Sequence, residues 1–371
     1  MTPRSSLESL ARAHIRELKA YQPGKPLEQL ERELGITDAI KVASNESPVP
    51  PSPRVIEAVE RALRTVNRYP EDSCYKLRAA LARHLGVQGE NLLFGAGSDE
   101  LLGLLATVFL DPGDEVVFPW PSFAMYPILT QSMGAKAVMV PTTAEYRSDP
   151  DAIAAAITPR TKLLLLANPN NPTGSSMDAR EFERLLARVP ERVVVALDEA
   201  YFEYVRSEDY PRSLERIAER PTLMVLRTFS KIYGLAGLRI GYGIAHPELI
   251  RIVERARHPF NVSSIAQVAA CAALEDGAYR YQVRDLAHRG LQQLEAGFEK
   301  LGLAYVPSDA NFVLVDVGRE AAPLDAALQR RGVITRSMTG FGLTRHLRIT
   351  AGLPEENQRV LDALAAELGR G

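Results

Sequence analysis

Cysteine, histidine and unbalanced charge are all scarce in this 371-residue chain, and each scarcity removes a class of function. Two cysteines, Cys74 and Cys271, stand far apart in sequence and cannot build a disulfide framework. Six scattered histidines show no ligand spacing, so no metal site is expected. The formal net charge of -2 is too small a field to argue for nucleic acid or an anionic membrane as a partner. The longest apolar run near a helix, Leu101 to Leu110, is about half of what a bilayer span needs. The polar start Met1 to Ser9, with Pro3, lacks a signal-peptide core. No Gly-x-x-x-x-Gly-Lys-Ser/Thr sequence occurs, which leaves nucleotide hydrolysis on a P-loop unsupported. Lysine is sparse as well: arginine supplies 36 of the 44 basic residues, a bias of genome composition or heat tolerance rather than function. What remains is small-molecule chemistry in a reducing cytoplasm.

The hydrophobic share of 46% and charged share of 24% are those of an ordinary globular protein, and the length suits one large domain plus a smaller one. Residues 7 to 20 read as a short amphipathic helix broken at Tyr21-Gln22-Pro23-Gly24. Helices are expected at 54–66 and 75–85. Strand signals near 92–94, 115–118, 136–140, 162–167, 193–197, 223–227 and 239–244 alternate with helical ones, the pattern of an α/β fold whose seven-stranded, mostly parallel sheet is covered by helices. From Asn261 to about 300 the pattern is helical. Strands at 312–316, 332–336 and 346–350, with helices at 321–331 and 355–368, then read as a smaller α+β domain. The expected division is an arm over 1–45, a large domain over 46–275 and a small domain over 276–371.

The segment Thr228-Phe229-Ser230-Lys231 directly follows an apolar strand and precedes Arg239 by eight residues. Two hydroxyls and an arginine suit a phosphate. A desolvated lysine beside another cation has a depressed pKa and can attack an aldehyde. Phosphate plus aldehyde describes pyridoxal phosphate. Phe94-Gly95-Ala96-Gly97-Ser98-Asp99-Glu100 opens a helix with Ser98 as its expected N-cap and two acids in its first turn. Flexible backbone ahead of free N–H groups can cradle a phosphate. A dinucleotide fingerprint would need glycine at Glu100. Asn168-Pro169-Asn170-Asn171-Pro172-Thr173-Gly174 makes a rigid turn after a parallel strand, where α/β folds bind ligands. The strand Val193 to Leu197 runs into Asp198-Glu199-Ala200-Tyr201, and a buried aspartate there needs a partner, either a protonated pyridine nitrogen or one of the many arginines.

In this order, these residues resemble the fold-type-I pyridoxal-phosphate aminotransferases, and within them the histidinol-phosphate branch. The resemblance runs through Ser44-Asn45-Glu46, Arg68-Tyr69-Pro70, Gly97 to Glu100, Asn170 to Gly174, Asp198 to Tyr201, Thr228 to Lys231 and Leu347-Arg348-Ile349-Thr350. It implies that Lys231 carries the cofactor aldehyde and moves the proton, and that Ala96, Gly97, Ser98, Thr228, Ser230 and Arg239 hold the cofactor phosphate. It further implies that Phe123 stacks on the ring, Asp198 holds the ring nitrogen's proton, and Asn171 and Tyr201 bond the phenolic oxygen. Tyr69 would reach the phosphate of a neighbouring subunit in a homodimer. Arg348 would clamp the carboxylate of glutamate or 2-oxoglutarate, while Arg336, Tyr21 and Asn45 complete the substrate pocket, with Arg336 on the substrate phosphate.

An aromatic or phenylalanine aminotransferase would share every cofactor residue, and a threonine-phosphate decarboxylase has a similar layout. A nicotinamide dehydrogenase is disfavoured by Glu100. A noncatalytic regulator on this fold would need an added DNA-binding domain, for which the residues ahead of the enzyme-like region are too few.

Overall fold

The computed structural model of the chain describes residues 7–20 and 24–370; Tyr21 lies outside the described residues. A seven-stranded sheet is built from β2 (Leu92–Gly95), β3 (Glu115–Trp120), β4 (Lys136–Pro141), β5 (Thr161–Ala167), β6 (Val194–Asp198), β7 (Leu223–Thr228) and β8 (Gly241–Ala245), after a short β1 (Ile40–Lys41). Its order is β2-β8-β7-β6-β5-β3-β4. β8 runs antiparallel to both its neighbours, β2 and β7, and the remaining adjacent strands pair in parallel.

The central strands show no polar alternation because both of their faces are buried. Leu164 and Leu166 of β5, Val195 and Leu197 of β6, and Leu223 and Val225 of β7 join one core. The intervening Leu163, Leu165, Val194, Ala196, Met224 and Leu226 join the other. At about 25 cal/mol per Å² of apolar surface, these two layers dominate the stability of the large unit.

A four-stranded antiparallel sheet of order β12-β13-β10-β9 follows, from β9 (Ala304–Val306), β10 (Phe312–Asp316), β12 (Arg336–Ser337) and β13 (His346–Thr350). A two-residue strand, β11 (Val333–Ile334), pairs in parallel with β1 instead, so chain from the arm is hydrogen-bonded into this region. The single strand expected at 332–336 is thus two strands in two sheets, separated at Thr335, whose hydroxyl turns to donate to Asp325.

Other boundaries also moved. The expected helix at 7–20 is two one-turn pieces, Leu7–Leu10 and Ala13–Arg16. The one at 54–66 is α-helical only over Pro53–Ala62, where Ser52 caps it and proline occupies its first turn. The long helical run divides into Ser264–Glu275 and Gly277–Lys300 at Asp276, whose carboxylate accepts from the Tyr279 amide at 3.1 Å. β1 and β9, of two and three residues, are too short to leave a periodic signal. Among the described residues no helix is long and apolar enough to cross a membrane.

Candidate active site

The carboxyl ends of β5, β6 and β7 open into a cavity of about 400 Å³ that the small sheet closes from the other side. Asn45, Gly97, Ser98, Phe123, Asn171, Asp198, Tyr201, Thr228, Ser230, Lys231, Arg239, Arg336 and Arg348 all line it. Residues from near both ends of the chain are therefore gathered around one space. Ala96 and Tyr69 do not line it.

Burial pushes the Lys231 ammonium down to about 8; Arg348 and Arg239 push the same way, against Glu46 and Asp198. Its Nζ lies 5.6 Å from the centroid of the Tyr201 ring. Asp198, 6% exposed, is pushed up to about 6 by burial. Two donors partly offset this: the Ala200 amide to Oδ1 at 3.2 Å and the Tyr126 hydroxyl to Oδ2 at 3.3 Å. Among the described residues no arginine pairs with Asp198, and the buried Arg227 of β7 pairs with Glu199 at 2.7 Å instead. A desolvated carboxyl that has Lys231 nearby but no ion pair among the described residues is the complement of a ligand that brings a cation, such as a protonated ring nitrogen.

The turn after β2 is shaped for an anion. Gly97, not Ser98, occupies the cap position of the helix Ser98–Phe109, at φ +92°. That backbone suits glycine, and a Cβ there would lie 2.5 Å from Arg239 Nη2. Gly241, on the neighbouring β8, is as constrained: its Cβ would meet the Ser98 nitrogen at 2.3 Å. Arg239 sits at φ 54° and directs Nη2 to the Ala96 carbonyl at 3.4 Å. The amide of Ala96 is spent on Glu100 Oε2 at 2.5 Å, an oxygen that Asn261 Nδ2 also reaches at 2.7 Å. Ala96 thus shapes the cradle through its carbonyl and is a poor phosphate donor. Asp99 takes its place in the lining. The first amides of the helix, with Thr228, Ser230 and Arg239 opposite, can hold a phosphate.

The polar atoms over the middle of the cavity are committed in a definite sense. Asn171 Oδ1 accepts from Arg348 Nη1 at 2.6 Å, which leaves its NH₂ as the donor into the cavity. The Tyr201 hydroxyl accepts from Asn45 Nδ2 at 2.8 Å. Asn45 is itself fixed: its amide donates to Thr350 Oγ1, its Oδ1 accepts from that hydroxyl, and its carbonyl accepts from Asn311. It works as a brace for Tyr201. Phe123 meets Tyr126 edge to face at 5.7 Å.

Arg336 and Arg348 are direct cross-strand partners in the β12–β13 ladder and both face the cavity. Like charges set opposite each other oppose folding unless an anion lies between them. Arg348 is 9% exposed and also donates to the Ala43 carbonyl at 2.6 Å.

Sequence reasoning missed Tyr126, the second role of Glu100, Gly241 and the Asn45–Thr350–Asn311 brace. Tyr126 follows Phe123 by three residues, across a turn in which its amide donates to the Phe123 carbonyl at 3.0 Å, and that spacing was its only signal. Tyr69 is 83% exposed and stacks on Phe260 with ring centroids 4.8 Å apart.

Residues 37–364 match the family model for aminotransferase class I and II. A histidinol-phosphate aminotransferase of Moorella thermoacetica is 48% identical over 354 residues, 95% of this chain and 92% of that protein. A histidinol-phosphate aminotransferase 2 of Pseudomonas fluorescens is 47% identical over 364 residues, 98% of each chain. Among solved structures, a histidinol-phosphate aminotransferase from Sinorhizobium meliloti in complex with pyridoxal-5′-phosphate superposes with a TM-score of 0.90 at 32% identity, covering 97% of this chain and 98% of that one.

Proposed function

Because the chain belongs to the class I and II aminotransferase family, we propose a residue-by-residue account of its cavity as the site of an amino-group transfer. The reaction moves the amine of histidinol phosphate to 2-oxoglutarate, giving imidazole acetol phosphate and glutamate, with pyridoxal 5′-phosphate as cofactor. The bound cofactor supplies an aldehyde to take up the amine and a protonated ring to accept the electron pair released at the α-carbon.

Lys231 anchors the aldehyde and, once displaced by the donor amine, carries the proton from the substrate α-carbon. Its lowered pKa leaves roughly a tenth of it as the free amine at pH 7, far more than an ordinary lysine offers. Asp198 keeps the ring nitrogen protonated, and Tyr126 orients Asp198. Tyr201 and the NH₂ of Asn171 donate to the phenolic oxygen, and Phe123 packs on the ring face. Gly97, Ser98, Asp99, Thr228, Ser230 and Arg239 hold the phosphate, the first three through backbone.

The observation that carries the substrate assignment is the Arg336–Arg348 pair. Glutamate and 2-oxoglutarate bring two carboxylates to two guanidiniums, and histidinol phosphate places its phosphate on Arg336. Removing one charge-assisted contact costs roughly 1.5–3 kcal/mol. Arg336→Gln is therefore expected to lower kcat/KM for histidinol phosphate about 10- to 100-fold while changing single-turnover conversion by phenylalanine little. Equal losses for both donors would sink this role. A wild-type preference for phenylalanine would move the enzyme to the aromatic branch.

We place the arm at 1–45, the large domain at 46–275 and the small domain at 276–371; the small sheet has a core of its own around Val313, Val315, Leu347 and Ile349, while Val283, Ala287 and Phe312 pack into the large sheet's core across that division. The cellular setting is the cytoplasm, in keeping with free Cys74 and Cys271. The working unit is a homodimer in which Tyr69 reaches the partner's phosphate. Supporting it, Ile56, Leu63, Val66, Tyr75, Phe260 and Val268 are exposed apolar side chains on or beside the helix Ser264–Glu275 and the two helices that pack on it, Pro53–Ala62 and Tyr75–Leu85. Light scattering is expected to give twice the chain mass, and Tyr69→Phe to loosen cofactor binding; a monomer of full activity would refute the shared site.

A further inference from the structure

The strands that furnish the active site carry a second set of polar side chains on their other face. Along β6 and β7, Ala196 and Leu226 point into one core while Leu197 and Val225 point into the other. The period of two then sends Asp198 and Thr228 to the active site, and Glu199 and Arg227 to the opposite side. There Arg227 pairs with Glu199, its guanidinium carbon 3.6 Å from the Phe202 ring centroid. Next to this pair opens a second cavity, of about 460 Å³, within the range of small-molecule sites. Its wall is made partly of residues adjacent in sequence to the active site: Phe202 and Glu203 follow Tyr201, and Ile232 and Tyr233 follow Lys231.

Groups of opposite sign face this cavity without meeting. Among the described residues the Glu203 carboxyl accepts from no group but its own backbone amide, and burial pushes it up to about 7 against the pull of Arg227 and Arg280. Arg284 lies over the Tyr281 ring at 5.2 Å and makes no ion pair among the described residues. The hydrogen bonds of the Arg280 guanidinium among those residues go only to the Tyr233 hydroxyl at 3.3 Å and the His84 ring nitrogen at 3.4 Å. A simple anion would satisfy the arginines and repel Glu203, while a simple cation would do the reverse. A ligand carrying both charges matches both, beside the aromatic faces of Phe202 and Tyr281.

We propose that this second cavity binds a free α-amino acid as an effector, its ammonium at Glu203 and its carboxylate at Arg280 and Arg284. Occupancy presses on Ile232 and Tyr233 and so alters the segment that positions Lys231, changing turnover from a site that touches no substrate.

The test is calorimetric titration of L-histidine, L-glutamate and L-phenylalanine into holoenzyme whose lysine–cofactor link has been reduced with borohydride, so that the active site cannot react. At least one is expected to saturate a single site per chain, and Glu203→Gln and Arg284→Gln each to weaken it tenfold or more. Both variants are expected to keep the wild-type kcat/KM without effector and to lose the turnover change that the amino acid causes in the unreduced wild type. No saturable binding up to about 10 mM, or binding that survives both substitutions and therefore belongs to the active site, would overturn the proposal. Inorganic phosphate binding with a loss in Arg284→Gln alone would overturn the zwitterion match.

Discussion

Lys231→Ala is expected to abolish transamination and the visible absorbance of the lysine-bound cofactor together. Two separate functions vanish with one amine. The covalent hold on the aldehyde goes, and so does the group that moves the α-proton, a transfer typically worth about 10²- to 10⁴-fold in rate. The substitution removes a half-buried cation at the foot of the cavity, so the chain should fold and still bind the cofactor through the Gly97–Arg239 cradle. In the wild type the amine form becomes the majority species above about pH 8, because burial and two arginines hold Lys231 below the ordinary lysine range. Capture of added cofactor by apoenzyme should therefore speed up as pH rises through that value. A Lys231→Ala protein that still transaminates would remove the foundation of the assignment.

Lys231 was legible because its neighbours in sequence are also its neighbours in space: Thr228, Ser230 and Arg239 leave one strand end and enter one cavity. The large sheet was legible for a related reason, since strands buried on both faces leave apolar runs that helical patterns punctuate. Contacts made across the fold left no such trace. Nothing near Asn45 announces that its carbonyl, amide and side chain are bound by Asn311 and Thr350, which lie 266 and 305 residues further on. Glu100 had a local explanation, charge at a helix start, which hid the use of its Oε2 as acceptor for both Ala96 and Asn261. The strand at 332–336 misled because β propensity cannot tell one strand from two that turn into different sheets at Thr335.

Asp198→Asn should be nearly as damaging as loss of the lysine, and its acid dependence is diagnostic. Asparagine keeps the shape, and its one oxygen can still accept from the Ala200 amide while its NH₂ turns to the Tyr126 hydroxyl. What it lacks is the negative charge that holds a proton on the ring nitrogen and lets the ring draw electrons from the α-carbon. Removing one group aimed at charge that develops in a transition state costs on the order of 10²- to 10³-fold in kcat. Burial raises the Asp198 carboxyl to about 6, so in cofactor-free protein it is protonated below that pH and ionised above it. A cationic ring nitrogen reverses the shift by favouring the carboxylate. Cofactor affinity of the wild type should therefore fall as pH drops through about 6, where binding must first strip a proton from Asp198. An amide side chain has no proton to lose in that range, so Asp198→Asn should bind the cofactor more weakly and without that fall. Tyr126→Phe, which removes only a 3.3 Å hydrogen bond to the carboxylate, should shift the midpoint upward and cost far less in rate. If Asp198→Asn instead kept the wild-type rate and the same acid dependence, the buried carboxylate would be a structural residue and the ring nitrogen's partner would lie elsewhere in the cavity.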